Sequence, residues 1–177
     1  MRLYCRTIAV VLRASYELAN DTAPERPLAV TFGGAPAAPS ALELAARRFH
    51  EHQIDGPLER IAELISEDAE MKLLVAHLRP LRGKHAIMAA LEEGREAEMY
   101  AAKVDRCELL DDETLLVAGH ARYATEKGGV GHSAVWWLDR FRGGLLRQAE
   151  AFLSEPEARA AYEEAVADSL MPAALQP

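Results

Sequence analysis

Cysteine is scarce in this chain: Cys5 and Cys107 are the only two in 177 residues, and neither sits in a CxxC or Cys/His ligand spacing. A disulfide framework and a cysteine metal knuckle are therefore excluded, and two reduced thiols in a cytoplasmic protein are expected. No HExxH run exists, and His50 and His52, two apart on a predicted helix, diverge too far to share an ion. No metal and no cofactor are expected. Positive charge is also in deficit, with 20 Lys and Arg against 28 Asp and Glu and a net charge of −8. The arginines are scattered among glutamates, as in Glu92-Glu-Gly-Arg-Glu-Ala-Glu, which reads as a solvated face. Such a surface repels a phosphate backbone, so nucleic acid is not an expected partner. Long apolar runs are missing as well: none approaches the roughly 18 residues of a membrane helix. The apolar stretch between Arg6 and Arg13 is too short for a good signal segment, so no membrane partner and no secretion are expected.

What is present is enough apolar residue, 50%, to fill one core in a chain of this length. Between Thr22 and Pro39 stand Pro24, Pro27, Gly33, Gly34, Pro36 and Pro39, a density that stops helices, so residues 1–39 read as an extension and linker. The domain opens at Ser40-Ala-Leu-Glu43, a capping box, followed by an apolar stripe of Leu42, Ala45, Ala46, Phe49 and Ile54 that Asp55-Gly56-Pro57 interrupts. Leu58 to Ile65 predict a second short helix ending near Ser66, and Met71 to Leu78 a strand. A helix after Gly83 buries Ile87, Met88 and Leu91. Strands are expected over Tyr100–Leu110, Thr114–Thr125, Ser133–Arg142 and Leu145–Leu153, with turns at Asp111-Asp112, Lys127-Gly128-Gly129 and Gly143-Gly144. A second capping box, Ser154 to Glu157, starts a last helix to about Ala167, leaving residues 168–177 as a tail.

Arg48-Phe49 before Asp55-Gly56, Ala62-Glu-Leu-Ile-Ser-Glu-Asp-Ala, Gly83-Lys-His-Ala-Ile, Arg140-Phe-Arg-Gly-Gly and Ala149-Glu-Ala-Phe-Leu-Ser-Glu-Pro occur in an order and spacing that resembles the SnoaL-like branch of the nuclear transport factor 2-like superfamily. The resemblance spans Ser40 to about Ala165. It implies an α+β cone, in which a strongly curved, mostly antiparallel sheet wraps around the N-terminal helices and a C-terminal helix follows. It also implies a homodimer through the outer sheet face, and a pocket that takes a small hydrophobic or aromatic molecule. Relatives include polyketide cyclases, ketosteroid isomerases, dehydratases and epoxide hydrolases, while others only bind ligands or partners. Residue by residue, the steroid isomerase pattern falls on Phe49, near Leu73 and on Trp137, none of which can ionise as that chemistry requires. An Asp/Arg/Asp epoxide hydrolase set is not matched either.

The remaining polar candidates follow from strand alternation. On Leu115 to Thr125 one face carries His120 and Arg122, the other Tyr123. The resemblance turns His120 and Arg122 inward as base and electrophile, and a slip of one residue puts Tyr123 inside instead. His77 shares a face with Leu73 and Val75, placing it near the pocket mouth. Trp136 and Trp137 point to opposite faces: Trp137 is expected inside with Val135 and Asp139, and Trp136 at the dimer contact. Tyr100, opening its strand, is expected at the rim. The residues thus leave three readings open: a pocket that binds an apolar ligand, an isomerase, cyclase or dehydratase working by acid/base catalysis, and a non-catalytic dimerisation module.

Overall fold

The computed structural model describes residues 38–73, 79–96, 101–124 and 130–170. In these the chain runs α1 (Ala41–Asp55), α2 (Leu58–Ala62), β1 (Ile65–Lys72), β2 (Leu81–Arg82), α3 (Lys84–Glu96), β3 (Ala101–Leu109), β4 (Thr114–Ala124), β5 (Val130–Arg142), β6 (Leu145–Phe152) and α4 (Glu155–Leu170). The strands form one six-stranded sheet in the order β2-β1-β6-β5-β4-β3. All pairings are antiparallel except β1 with β6, which is parallel. The sheet is curved and unclosed, and helices cover it on both faces. Among the described residues no helix is long and apolar enough to cross a membrane.

Local chemistry accounts for most of the boundaries. The Ser40 hydroxyl accepts the Glu43 amide at 3.1 Å while the Glu43 carboxylate accepts the Ser40 amide at 3.2 Å, closing both ends of the first cap. Gly56 and Pro57 end α1. The second cap is looser, with the Glu157 amide 3.4 Å from the Ser154 hydroxyl, and α4 runs three residues past the expected stop at Ala167. Gly143 and Gly144, at φ of 60° and 81°, make the β5–β6 turn that only a chain without Cβ strain takes readily. Gly119 answers a different need: a Cβ there would collide with the Lys103 carbonyl where β3 bulges between Val104 and Arg106. That bulge, with others in the β1–β6 and β5–β6 pairings, interrupts the ladder where the sheet bends.

The first strand is where sequence and structure part. α2 stops at Ala62, and the strand begins at Ile65 instead of Met71, running through Ser66-Glu-Asp-Ala-Glu. The polar run hides a strand whose buried positions are Ile65, Ser66, Ala69 and Met71 and whose Glu67 and Asp68 face water. It is anchored by the Leu146 amide donating to the Leu64 carbonyl at 2.8 Å. Leu73 follows the strand and packs on the core; Val75 and His77 lie outside the described residues, as does Tyr100.

Two apolar clusters sandwich the sheet. The larger, on the inner face, joins Ala46 and Phe49 of α1, Ile61 of α2 and Ile87 of α3 to Leu115, Val117, Phe141 and Leu146 of the sheet. Burying Phe49 alone is worth about 3–5 kcal/mol against alanine. The smaller, on the outer face, joins Leu116 and Leu138 to Ala158 of α4, with Trp136, Phe152 and Tyr162 packed around them. Trp136, expected at a subunit contact, is half-buried against this cluster.

Candidate functional site

The inner face of β5 carries Val135, Trp137 and Asp139, opposite Gly119, Val117 and Leu115 of β4. Val135 and Asp139 are completely buried. A carboxylate there needs a partner, because an unpaired charge in an apolar interior costs many kcal/mol. The partner comes from α1. The Ala46, Phe49 and His50 side of that helix is pressed onto the sheet, and His50 Nε2 stands 2.7 Å from Asp139 Oδ2. The imidazole is held by aromatic rings on two sides: Phe49 meets it edge-on at 5.0 Å between centroids, and the Trp137 indole lies over it at 4.6 Å.

The pair is not saturated. His50 Nδ1 and Asp139 Oδ1 are buried, and among the described residues neither has a hydrogen-bond partner. Leaving such atoms unpaired costs roughly 1–3 kcal/mol each, so a water or a ligand atom on them is favoured. In the neutral tautomer that donates Nε2–H to Asp139, Nδ1 carries a lone pair, and the carboxylate fixes the ring's orientation as an orienting acid does for a catalytic base. Cys107 is on the same inner side. Burial pushes its thiol up to about 11, with Asp139 and the α1 glutamates Glu43 and Glu51 adding to the effect and Arg47 opposing it. It is a protonated, unreactive group at neutral pH. Arg47 reaches past it to donate to the Val104 carbonyl at 3.4 Å.

Of the residues singled out in the sequence, the structure brings Phe49, Trp137, Asp139 and Val135 together on the inner face. His120 is not among them. Its side chain is 54% exposed on the outer face, and its Nδ1 is 2.7 Å from Asp105 Oδ2 of β3. The inward register expected for it fails because Leu116, two turns of the pleat away on the same face, is committed to the α4 cluster. Arg122 and Tyr123 are described by backbone register alone, opposite His132 and Gly131. His50 is the residue the sequence reading passed over. The available signal was its place four residues after Ala46 on the helix's apolar stripe, where a histidine must find a buried partner. Among the described residues no three His, Cys, Asp or Glu side chains converge as a metal site would require.

A curved sheet folded over N-terminal helices, with its polar pair on the concave side, is the cone of the nuclear transport factor 2-like fold. No family model matches the chain, and no curated protein does. Solved structures do. A nuclear transport factor 2-like protein of unknown function from Burkholderia pseudomallei is 17% identical and aligns over 68% of this chain and 96% of its own with a TM-score of 0.55. SalBIII, an epoxide hydrolase/cyclase-like enzyme of pyran ring formation in the polyether salinomycin, is 13% identical over 65% of this chain and 92% of its own at a TM-score of 0.57. A structure assigned to the SnoaL-like polyketide cyclases, from Jannaschia sp. CCS1, is 12% identical over 72% of this chain and 96% of its own at a TM-score of 0.56. At such identities the likeness establishes the fold, and function has to be argued from the site.

Proposed function

We propose that this chain binds a small hydrophobic or aromatic molecule against the inner face of the sheet, with His50, oriented by Asp139, as the polar group that exchanges a proton with it. The observation that carries the reading is the buried His50–Asp139 pair with one unpaired atom on each partner. A purely structural pair would be expected to close its hydrogen bonds, since interiors rarely keep open ones. Phe49 and Trp137 supply apolar walls beside it, which suits a ligand with a ring or a hydrocarbon body. Acid/base chemistry of the isomerase, cyclase or dehydratase kind needs one group that takes a proton and returns it, and an imidazole held by a carboxylate is such a group. The cyclase and epoxide-opening neighbours support this choice of class.

A second reading has its own observation. Phe49, Leu115 and Val135, which surround the pair, are all buried to within 1%, as in a filled core without room for a ligand. Native mass spectrometry of the purified full chain, together with 15N NMR of the His50 ring, separates the two. Binding predicts a co-purified small molecule whose release shifts the Nδ1 resonance, and loss of that molecule in Asp139→Asn. A chain that carries nothing, and whose His50 nitrogens do not respond to a panel of phenols and aromatic ketones, is a structural domain.

A further inference from the structure

Beyond the apolar part under α4, the outer face of the sheet is polar. One cross-strand row sets Glu70 of β1 beside Gln148 of β6, Gln148 beside Arg140 of β5, and Arg140 beside Thr114 of β4. Flanked by Asp68 and Arg147 on one side and Asp111 and Glu113 on the other, this row floors a groove of about 430 Å³. That volume is within the range of small-molecule sites.

The charges in the groove are unequally committed. Asp68 is 2.7 Å from Arg147, Glu70 is 3.1 Å from Arg82, and Glu113 is 3.8 Å from Arg142. Asp111 accepts the Glu113 amide at 2.8 Å and the Tyr162 hydroxyl at 3.0 Å. Arg140 differs. Its Nη1 donates to the neutral Gln148 Oε1 at 3.3 Å, and among the described residues no carboxylate pairs with it. A guanidinium carries five N–H donors and cannot shed its charge, so most of its capacity is unused.

We propose that this groove binds a small zwitterion, its carboxylate held in the fork of Arg140 and its cationic group among the rim acids. The planar fork matches a carboxylate's two oxygens. Arginines pair with Asp68, Glu70 and Glu113, but among the described residues Asp111 is bonded only by amide and hydroxyl groups, so its charge disfavours a doubly charged phosphate and favours a positive group beside the anion. The groove is on the opposite face from His50, so the inference stands apart from the inner-pocket reading.

The test is a titration of the full chain with L-lysine, followed by the 1H–15N resonance of the Arg140 side chain, with acetate and inorganic phosphate as comparison probes. A saturable shift with L-lysine is expected, weaker binding of acetate and the weakest of phosphate. Arg140→Gln should lower L-lysine affinity about tenfold or more, as loss of a charge-assisted pair does. Arg140→Lys keeps the charge without the fork, and should lose affinity while leaving the melting temperature unchanged, which covers the case of a poorly folded glutamine variant. Absence of saturation, L-lysine affinity unchanged in both variants, or phosphate binding tighter than L-lysine overturns the proposal.

Discussion

Two His–Asp pairs of the same length, 2.7 Å, sit on opposite faces of one sheet, and they are not equivalent. His50–Asp139 has side chains exposed by 2% and 0%, whereas His120–Asp105 has 54% and 42%. Water can satisfy every remaining lone pair of the outer pair and screens its attraction, so it adds little to stability. No water bath is available to the inner pair. Its unmet hydrogen bonds remain a standing cost unless something binds there, and removal of either partner strands the other in a low-dielectric interior. Bond length says nothing about which histidine is the functional candidate; the surroundings of the unbonded nitrogen do.

The largest effect expected from breaking this comparison is at Asp139. Asp139→Ala should cost about 3–5 kcal/mol in urea unfolding, because it leaves a buried polar ring unpaired. Replacing both partners, as His50→Leu with Asp139→Leu, should recover most of that loss, since an apolar pair has nothing to satisfy. A double variant as unstable as the single would show that the cost lies in cavity or shape and not in the stranded group. On the outer face, Asp105→Asn should change stability by less than about 1 kcal/mol, and that small difference should shrink further in 0.5 M salt. A loss as large as that of Asp139→Ala would erase the distinction between the faces.

At Cys107 the effect shows only at alkaline pH, where it sharpens the inner side of the comparison. Its folded pKa is raised from 9.0 to about 11, so its protonated form is favoured in the native state. The associated stability is complete below pH 9 and is lost as pH rises towards 11. Urea midpoints measured between pH 8 and 11 should fall less steeply in Cys107→Ala than in the native chain. Alkylation by iodoacetamide at pH 7.5 should be much slower than for a free thiol.

Much of the fold was legible in short signals that act locally. Ser40 with Glu43, Ser154 with Glu157, and the Gly143-Gly144 turn each specify their boundary through atoms a few residues apart. The site was only half legible. Val135, Trp137 and Asp139 could be grouped because alternation in β5 relates them, but their partner on α1 is 89 residues from Asp139 and no local pattern links the two. The face of β4 was illegible for a sharper reason. Leu115, Leu116 and Val117 are buried to 0%, 1% and 0% because α1 covers one side of the strand and α4 the other. Where both faces are covered, the period-two contrast that would set the register vanishes. Alternation therefore leaves both registers open, and the one the resemblance implies puts His120 on the wrong face. In β1 the opposite happened, and acidic residues on an exposed face masked a strand.

The parallel pairing of β1 with β6 has a consequence for the time course of folding. Ile65 meets Leu146 across about eighty intervening residues, so the loop they close must be ordered before that ladder returns any free energy. The β3–β4 and β5–β6 hairpins can form early and independently, whereas the sheet as a whole waits on its most distant pair. Refolding should therefore fall in the slower, millisecond-to-second range of domains rich in non-local contacts. A substitution such as Ala69→Gly in β1 should accelerate unfolding more than it slows refolding.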